Sequence, residues 1–270
     1  MTVATSNLTV LRHSVAGFEI QTRRLGQGPQ LLFLHGAGGA GDLFPGAEPI
    51  PFLTQLAQHY EVHVPEHPGY GTQERPEWVD NIHDLAYFYL DYLAAAGLQG
   101  VHLVGQSLGG WVALEMAVRN TSALRSLSVV GSAGIHVKGV AKGDIFLWSR
   151  DEFAQRMFRN PEARAAFLAR TIPPEHQKAF LRNRETTALL GWQPRLYDPH
   201  LHKWLHRIDV PTQVIWAEND EVLPPAYGEE LARLIPNARL SVVADSGHLL
   251  YLDRPEALAS HIREFIGETR

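Results

Sequence analysis

The stretch Val101-His102-Leu103-Val104-Gly105-Gln106-Ser107-Leu108-Gly109-Gly110, running on into Trp111–Arg119, decides how this chain reads. Val101–Val104 has the length and composition of a short buried strand, and Trp111–Arg119 is good helix material. Between them stands Gly-x-Ser-x-Gly. A sharp strand-to-helix turn here holds Ser107 in a strained backbone conformation and leaves its hydroxyl exposed. Gly105 and Gly109 remove side chains that would collide with neighbouring backbone. The helix N-terminus beneath offers partial positive charge to a developing anion. The competing reading, a phosphate-binding loop, lacks the Lys pattern such a loop requires.

The chain on either side repeats the strand–helix rhythm. Leu8–Val10 and Phe18–Thr22 flank Gly17 as a hairpin would. Leu31–Leu34 and Tyr60–Val64 are short apolar runs closed by His35-Gly36 and Pro65. Ile82, Leu85, Ala86, Tyr89 and Leu93 recur at helical steps over 82–96, and Gly97 stops the helix. Leu127–Val130, Thr212–Trp216 and Leu240–Val243 continue the strands, with helices over Ala226–Ile235 and Pro255–Ile266. Strand runs that do not alternate with polar residues predict a mostly parallel, doubly wound α/β sheet covered on both faces. The rhythm breaks at 135–208, where Pro161, Pro173-Pro174, Pro194 and Pro199 divide the segment into short helices. The expected organisation is a core of residues 1–134 and 209–270 interrupted by a helical cap at 135–208.

Composition narrows the function classes. Hydrophobic residues make up 45%, enough for a substantial core, and a net charge of −5 provides no basic face for nucleic acid. With no cysteine, the chain has no disulfide, thiolate metal site or cysteine nucleophile. MTVATSNLTVLRHSV has no signal-peptide core, and no later run reaches membrane-spanning length, so the expectation is a cytoplasmic protein without a membrane partner. His202 and His206 are spaced as zinc ligands can be, but no Glu accompanies them, and no metal is expected. The glycines at 36–41 lack the acidic partner of a dinucleotide site, so no cofactor is expected either.

A serine hydroxyl needs an adjacent base to act as a nucleophile. Of fourteen histidines, His248 is best placed, in the loop after Leu240–Val243 and at the same sheet edge as the turn after Val104. The base needs a carboxylate to hold its tautomer. Asp220, in the loop after Thr212–Trp216, is the candidate, with Glu218 and Asp245 as competitors. Backbone N–H groups of Leu108 and of Ala37, with Gly38 the alternative to Ala37, are the expected oxyanion donors. His35 reads as a structural histidine bonded to nearby backbone.

These motifs together resemble the α/β-hydrolase family over nearly the whole chain. They are HGAGG at 35–39, PEHPGYG at 65–71, GQSLGG at 105–110, WAENDEVLPP at 216–225 and DSGHLLYLDRPE at 245–256, and the order Ser107, Asp220, His248 matches the family's. The resemblance implies a serine hydrolase acting on a small ester-like molecule, with carboxylic-ester cleavage first. Position 107 being Ser excludes the dehalogenase and epoxide hydrolase branches, which carry Asp there. Carbon–carbon bond hydrolases of ring-cleavage products rank second, because Gln106 and Leu249 replace their usual Asn and Trp. A ligand receptor that keeps the triad without turning over is the reading of another class. In the cap, Phe146, Trp148, Phe153, Phe158, Trp192 and Trp204 are expected to anchor it to the core rather than line a pocket, and Arg195 to lie at the surface.

Overall fold

The computed structural model describes residues 8–269. The chain opens with β1 (Thr9–Val15) and β2 (Phe18–Leu25), a hairpin whose turn places Ala16 and Gly17 at positive φ. It continues through β3 (Gln30–Leu34), α1 (Pro51–Ala57), β4 (Glu61–Pro65), α2 (Ile82–Ala95), β5 (Val101–Gln106), α3 (Leu108–Arg119) and β6 (Leu124–Val130). Three α-helices and two short 3-10 turns follow before the sheet resumes, the α-helices being α4 (Arg150–Met157), α5 (Pro161–Ala169) and α6 (Pro174–Gly191). The last part is β7 (Thr212–Ala217), α7 (Ala226–Leu234), β8 (Arg239–Val243), α8 (Leu250–Asp253) and α9 (Pro255–Glu268).

One eight-stranded sheet runs in the order β1-β2-β4-β3-β5-β6-β7-β8. The β1–β2 and β2–β4 pairs are antiparallel and all others are parallel. Successive residues on the central strands enter opposite cores. Leu32, Leu34, Leu103, Val129 and Val214 pack with α2, α3 and α7. Leu31, Phe33, Val104, Val130 and Ile215 pack with α1 and α9 on the other face. Burial on both faces is why these strands read as unbroken apolar runs.

The segment between β6 and β7 differs from expectation in one respect. Pro161 and Pro174 stand in the first turns of α5 and α6 and separate the three helices as expected. Residues 175–193 contain no proline, however, and α6 extends over 18 residues rather than being short. Phe158 anchors the segment, fully buried and ring-packed on Phe167. Trp148 and Phe153 pack partly buried against the core cluster that holds Phe158, whereas Trp192, on the Phe146 ring, and Trp204 stay half exposed. Arg195 pairs with Asp144 within the segment. Among the described residues, no helix is long and apolar enough to cross a membrane.

At the far end of the segment, Asp198 meets His83 of α2 and Glu115 of α3. His83 Nε2 lies 3.3 Å from Asp198 Oδ2 and 3.5 Å from Glu115 Oε1, with Arg119 on the other oxygen of Glu115. The bond to Glu115 raises the His83 pKa, against the opposing effects of burial and Arg119. A raised folded-state pKa stabilises fully below the unfolded value of about 6.5 and is lost as pH rises through the folded value. His83→Gln should lower the melting temperature by a few degrees at about pH 6, with the difference closing by about pH 9. A pH-independent difference in thermal melts would show that His83 acts by packing alone.

Candidate active site

The turn at the end of β5 places Ser107 at φ 54, ψ −113, a region that costs a non-glycine residue about 1–3 kcal/mol. Its backbone is held on both sides. The Ser107 N–H donates to Val130 O at 2.9 Å, and Ser107 O accepts from Trp111 N–H and Ala133 N–H, each at 3.1 Å. A Cβ at Gly105 would overlap the Gly109 carbonyl, and one at Gly109 would overlap the carbonyls of Leu34 and His35. Both glycines are therefore steric requirements of the turn.

The loops after β7 and β8 bring the other two residues to this point. His248 Nε2 lies 3.0 Å from Ser107 Oγ, and His248 Nδ1 lies 2.7 Å from Asp220 Oδ2. Asp220 Oδ1 accepts the N–H groups of Val222 and Leu223 at 2.9 and 2.8 Å, which fixes the carboxylate. An ionised carboxylate only accepts, so Nδ1 carries the proton and Nε2 presents its lone pair to the serine hydroxyl. The competing carboxylates are engaged elsewhere. Glu218 Oε2 accepts the Asp245 N–H, and Asp245 pairs with Arg254.

The glycine-rich loop after β3 crosses beside the turn, and a Cβ at Gly36 would come 3.3 Å from Ser107 Cβ. Gly36 O accepts from His35 Nδ1 at 2.7 Å and from Gly39 N–H at 3.2 Å. Across a trans peptide the C=O and N–H point opposite ways, so the Ala37 N–H faces away from His35. Leu108 supplies a first-turn amide of α3, which has no intrahelical carbonyl to serve.

His35 sits beneath this loop as a neutral ring. Its Nε2 accepts the His67 N–H at 3.0 Å, and burial pushes its pKa down to about 3. His67 in turn donates from Nε2 to His35 O at 2.9 Å and accepts from Tyr89, and burial also holds it well below the usual value. Glu66 takes the Ala40 N–H at 2.8 Å, and burial raises its pKa.

Two residues at the site had no role in the sequence reading. Asp253 is fully buried and accepts four hydrogen bonds from three N–H groups: Gly247 at 2.7 Å, Asn160 at 2.7 Å, and Arg159 on both oxygens at 3.0 and 3.1 Å. It ties the His248 loop to the turn between α4 and α5. Its signal was present as a carboxylate five residues after His248, just ahead of Arg254-Pro255. Asn183 on α6 bonds to Gly38 and Gly71, and nothing in the sequence marked it.

Known proteins share this fold. The family model for the alpha/beta hydrolase fold matches residues 29–255. A pimeloyl-[acyl-carrier protein] methyl ester esterase from Aeromonas salmonicida is 27% identical, over 92% of this chain and 99% of its own. A 2-hydroxymuconate semialdehyde hydrolase from Pseudomonas putida is 26% identical, over 94% and 92%. The crystal structure of an esterase from Rhodococcus superposes with a TM-score of 0.76 at 22% identity, covering 97% of this chain and 99% of that one. By name the two sequence relatives are an esterase and a semialdehyde hydrolase, and each matches more than nine-tenths of this chain. On that match the chain belongs to the alpha/beta hydrolase fold family, and it is a hydrolase enzyme.

Proposed function

We propose that this enzyme cleaves a carboxylic ester of a small molecule through an acyl-serine intermediate. The observation that carries the reading is the unbroken chain of hydrogen-bonding atoms from Ser107 Oγ through His248 to Asp220, at 3.0 and 2.7 Å. In this reading His248 Nε2 takes the Ser107 proton as Oγ attacks the ester carbonyl. The oxyanion of the tetrahedral species accepts from the N–H groups of Leu108 and Ala37. His248 then gives the proton to the departing alkoxide, which leaves as the alcohol. Water attacks the acyl-serine with His248 as base again, and the carboxylic acid and the free serine are regenerated. Asp220 stays ionised and stabilises the imidazolium at each stage. Residues 135–208 act as the cap that covers the acyl or alcohol side.

Ester cleavage is placed ahead of carbon–carbon cleavage on two residues. Gln106 and Leu249 flank the nucleophile and the base where the carbon–carbon hydrolases usually carry Asn and Trp. The likeness to the 2-hydroxymuconate semialdehyde hydrolase keeps that activity as the second reading.

Turnover of p-nitrophenyl esters of graded acyl length tests the mechanism. Wild type should turn over many times, and Ser107→Ala should lose about four orders of magnitude or more in kcat. Undiminished hydrolysis by Ser107→Ala would overturn the assignment. Asp220→Asn should lower kcat by about 10⁴-fold, since the amide no longer enforces the tautomer, while Glu218→Gln stays near wild type. The reverse ranking would make Glu218 the acid. Turnover of a ring-cleavage-type dienone with no ester turned over would favour the second reading, and a single burst without turnover the receptor.

A further inference from the structure

Helix α6 is packed with a polar face inward. Asn183, Thr186, Thr187 and Leu190 recur at three- and four-residue steps and are buried, whereas Phe180, Leu181 and Leu189 are exposed. Burying three polar side chains costs free energy unless each is paired, and each pairs with the 36–39 loop beside Ser107 or with residues 69–71. Asn183 Nδ2 donates to Gly38 O at 2.7 Å, and Asn183 Oδ1 accepts the Gly71 N–H at 2.7 Å. Thr187 Oγ1 donates to Ala37 O at 3.4 Å and accepts from Tyr70 Oη at 2.9 Å. Thr186 Oγ1 donates to Gly69 O at 2.6 Å. The Asn183 amide takes the place of a side chain at Gly39, where a Cβ would lie 2.5 Å from Nδ2.

The consequence lies in three consecutive carbonyls of the glycine-rich loop. Gly36 O is held by His35, Ala37 O by Thr187 and Gly38 O by Asn183. Two of the three anchors belong to α6, and Asn183 makes the shorter contact of the two. The Gly38 carbonyl that Asn183 holds shares its peptide with the Gly39 N–H, which donates to Gly36 O at 3.2 Å. The Gly36 carbonyl shares its peptide with the Ala37 N–H, so Asn183 acts on that donor through the Gly39 turn, while Thr187 sets the peptide of the Gly38 N–H.

We infer that Asn183 is a positioning residue for the oxyanion donors, so that docking of α6 assembles the hole as well as covering the site. The inference rests on the serine mechanism proposed above. An interaction that orients donors for the tetrahedral species lowers the barrier without tightening ground-state binding.

The test compares Asn183→Ala, Asn183→Asp and Thr186→Val with wild type. Thr186→Val removes a buried bond of α6 that does not reach the 36–39 loop. Asn183→Asp keeps the acceptor for Gly71 and loses the donor to Gly38. Both Asn183 variants should lose about 10–100-fold in kcat on a p-nitrophenyl ester, with KM within about threefold. Inhibition by an alkylboronic acid, which forms a tetrahedral adduct on Ser107, should weaken in parallel, and Thr186→Val should hold kcat near wild type. Amide exchange over residues 36–40 should accelerate in Asn183→Ala and not in Thr186→Val. Equal kcat losses in Asn183→Ala and Thr186→Val would reduce Asn183 to a docking contact and overturn the inference, as would unchanged kcat in both Asn183 variants. Wild-type inactivity on every ester would refute the proposed reaction. The exchange measurement then decides the inference by itself: faster exchange in Asn183→Ala supports loop positioning, and unchanged exchange overturns it.

Discussion

The backbone conformation of Ser107 constrains more of this molecule than any other local feature. At φ 54 and ψ −113 the residue occupies a region that persists only where its surroundings over-determine it. Its N–H is answered by Val130 at the end of β6 and its carbonyl by Trp111 and Ala133. The turn therefore requires β6 in parallel register beside β5, with Val130 opposite Gln106. It also requires glycine at 105 and 109, because the α3 turn and the β3 exit pass where side chains would stand. Parallel order then places the exits of β7 and β8 at the same sheet edge, which is how His248 and Asp220 arrive within hydrogen-bonding reach of the hydroxyl.

This dependence explains what was legible in the amino-acid sequence and what was not. The central sheet was legible because both its faces are buried, so the strands from Leu31 to Trp216 read as runs that do not alternate with polar residues, whereas β8 at the edge keeps Leu240 and Val242 exposed. The turn was legible because its steric demands are written as glycines at fixed spacing. Ser107, Asp220 and His248 each follow a readable strand end, and the structure brings them together in the expected sequence of contacts. The length of α6 was not legible, because prolines mark where a helix can start or stop but not whether the run between them stays helical. Asn183 was invisible for a deeper reason. Periodicity finds buried faces by their apolar residues, and the buried face of α6 is mostly polar, with Phe180 and Leu181 turned outward.

Histidine shows how partners outweigh residue type. His35, His67 and His248 are all nearly fully buried, yet their ring nitrogens are committed differently. Both nitrogens of His35 and of His67 serve neighbouring backbone or Tyr89, and burial keeps both rings neutral. Such a ring has no lone pair left for a substrate: Glu66 Oε1 lies 3.5 Å from His35 Nε2, but that nitrogen already accepts the His67 N–H. His248 has one nitrogen on Asp220 and the other on a hydroxyl, the arrangement that lets an imidazole accept a proton and remain in place.

The carboxylates around His248 divide their work on the same basis. Asp220 has one oxygen saturated by two backbone N–H groups and the other on the ring, so it can neither rotate nor leave. Asp253 has both oxygens saturated by backbone N–H groups from the His248 loop and from Arg159 and Asn160. It fixes the loop that carries His248 and, through the same atoms, the turn between α4 and α5. Glu218 and Asp245 lie farther out and bond to each other's loop and to Arg254. When His248 takes a proton in the proposed mechanism, the carboxylate bonded to its ring is Asp220. Asp253 ties the helical segment to the His248 loop and Asn183 ties it to the 36–39 loop, so displacing that segment breaks hydrogen bonds to both.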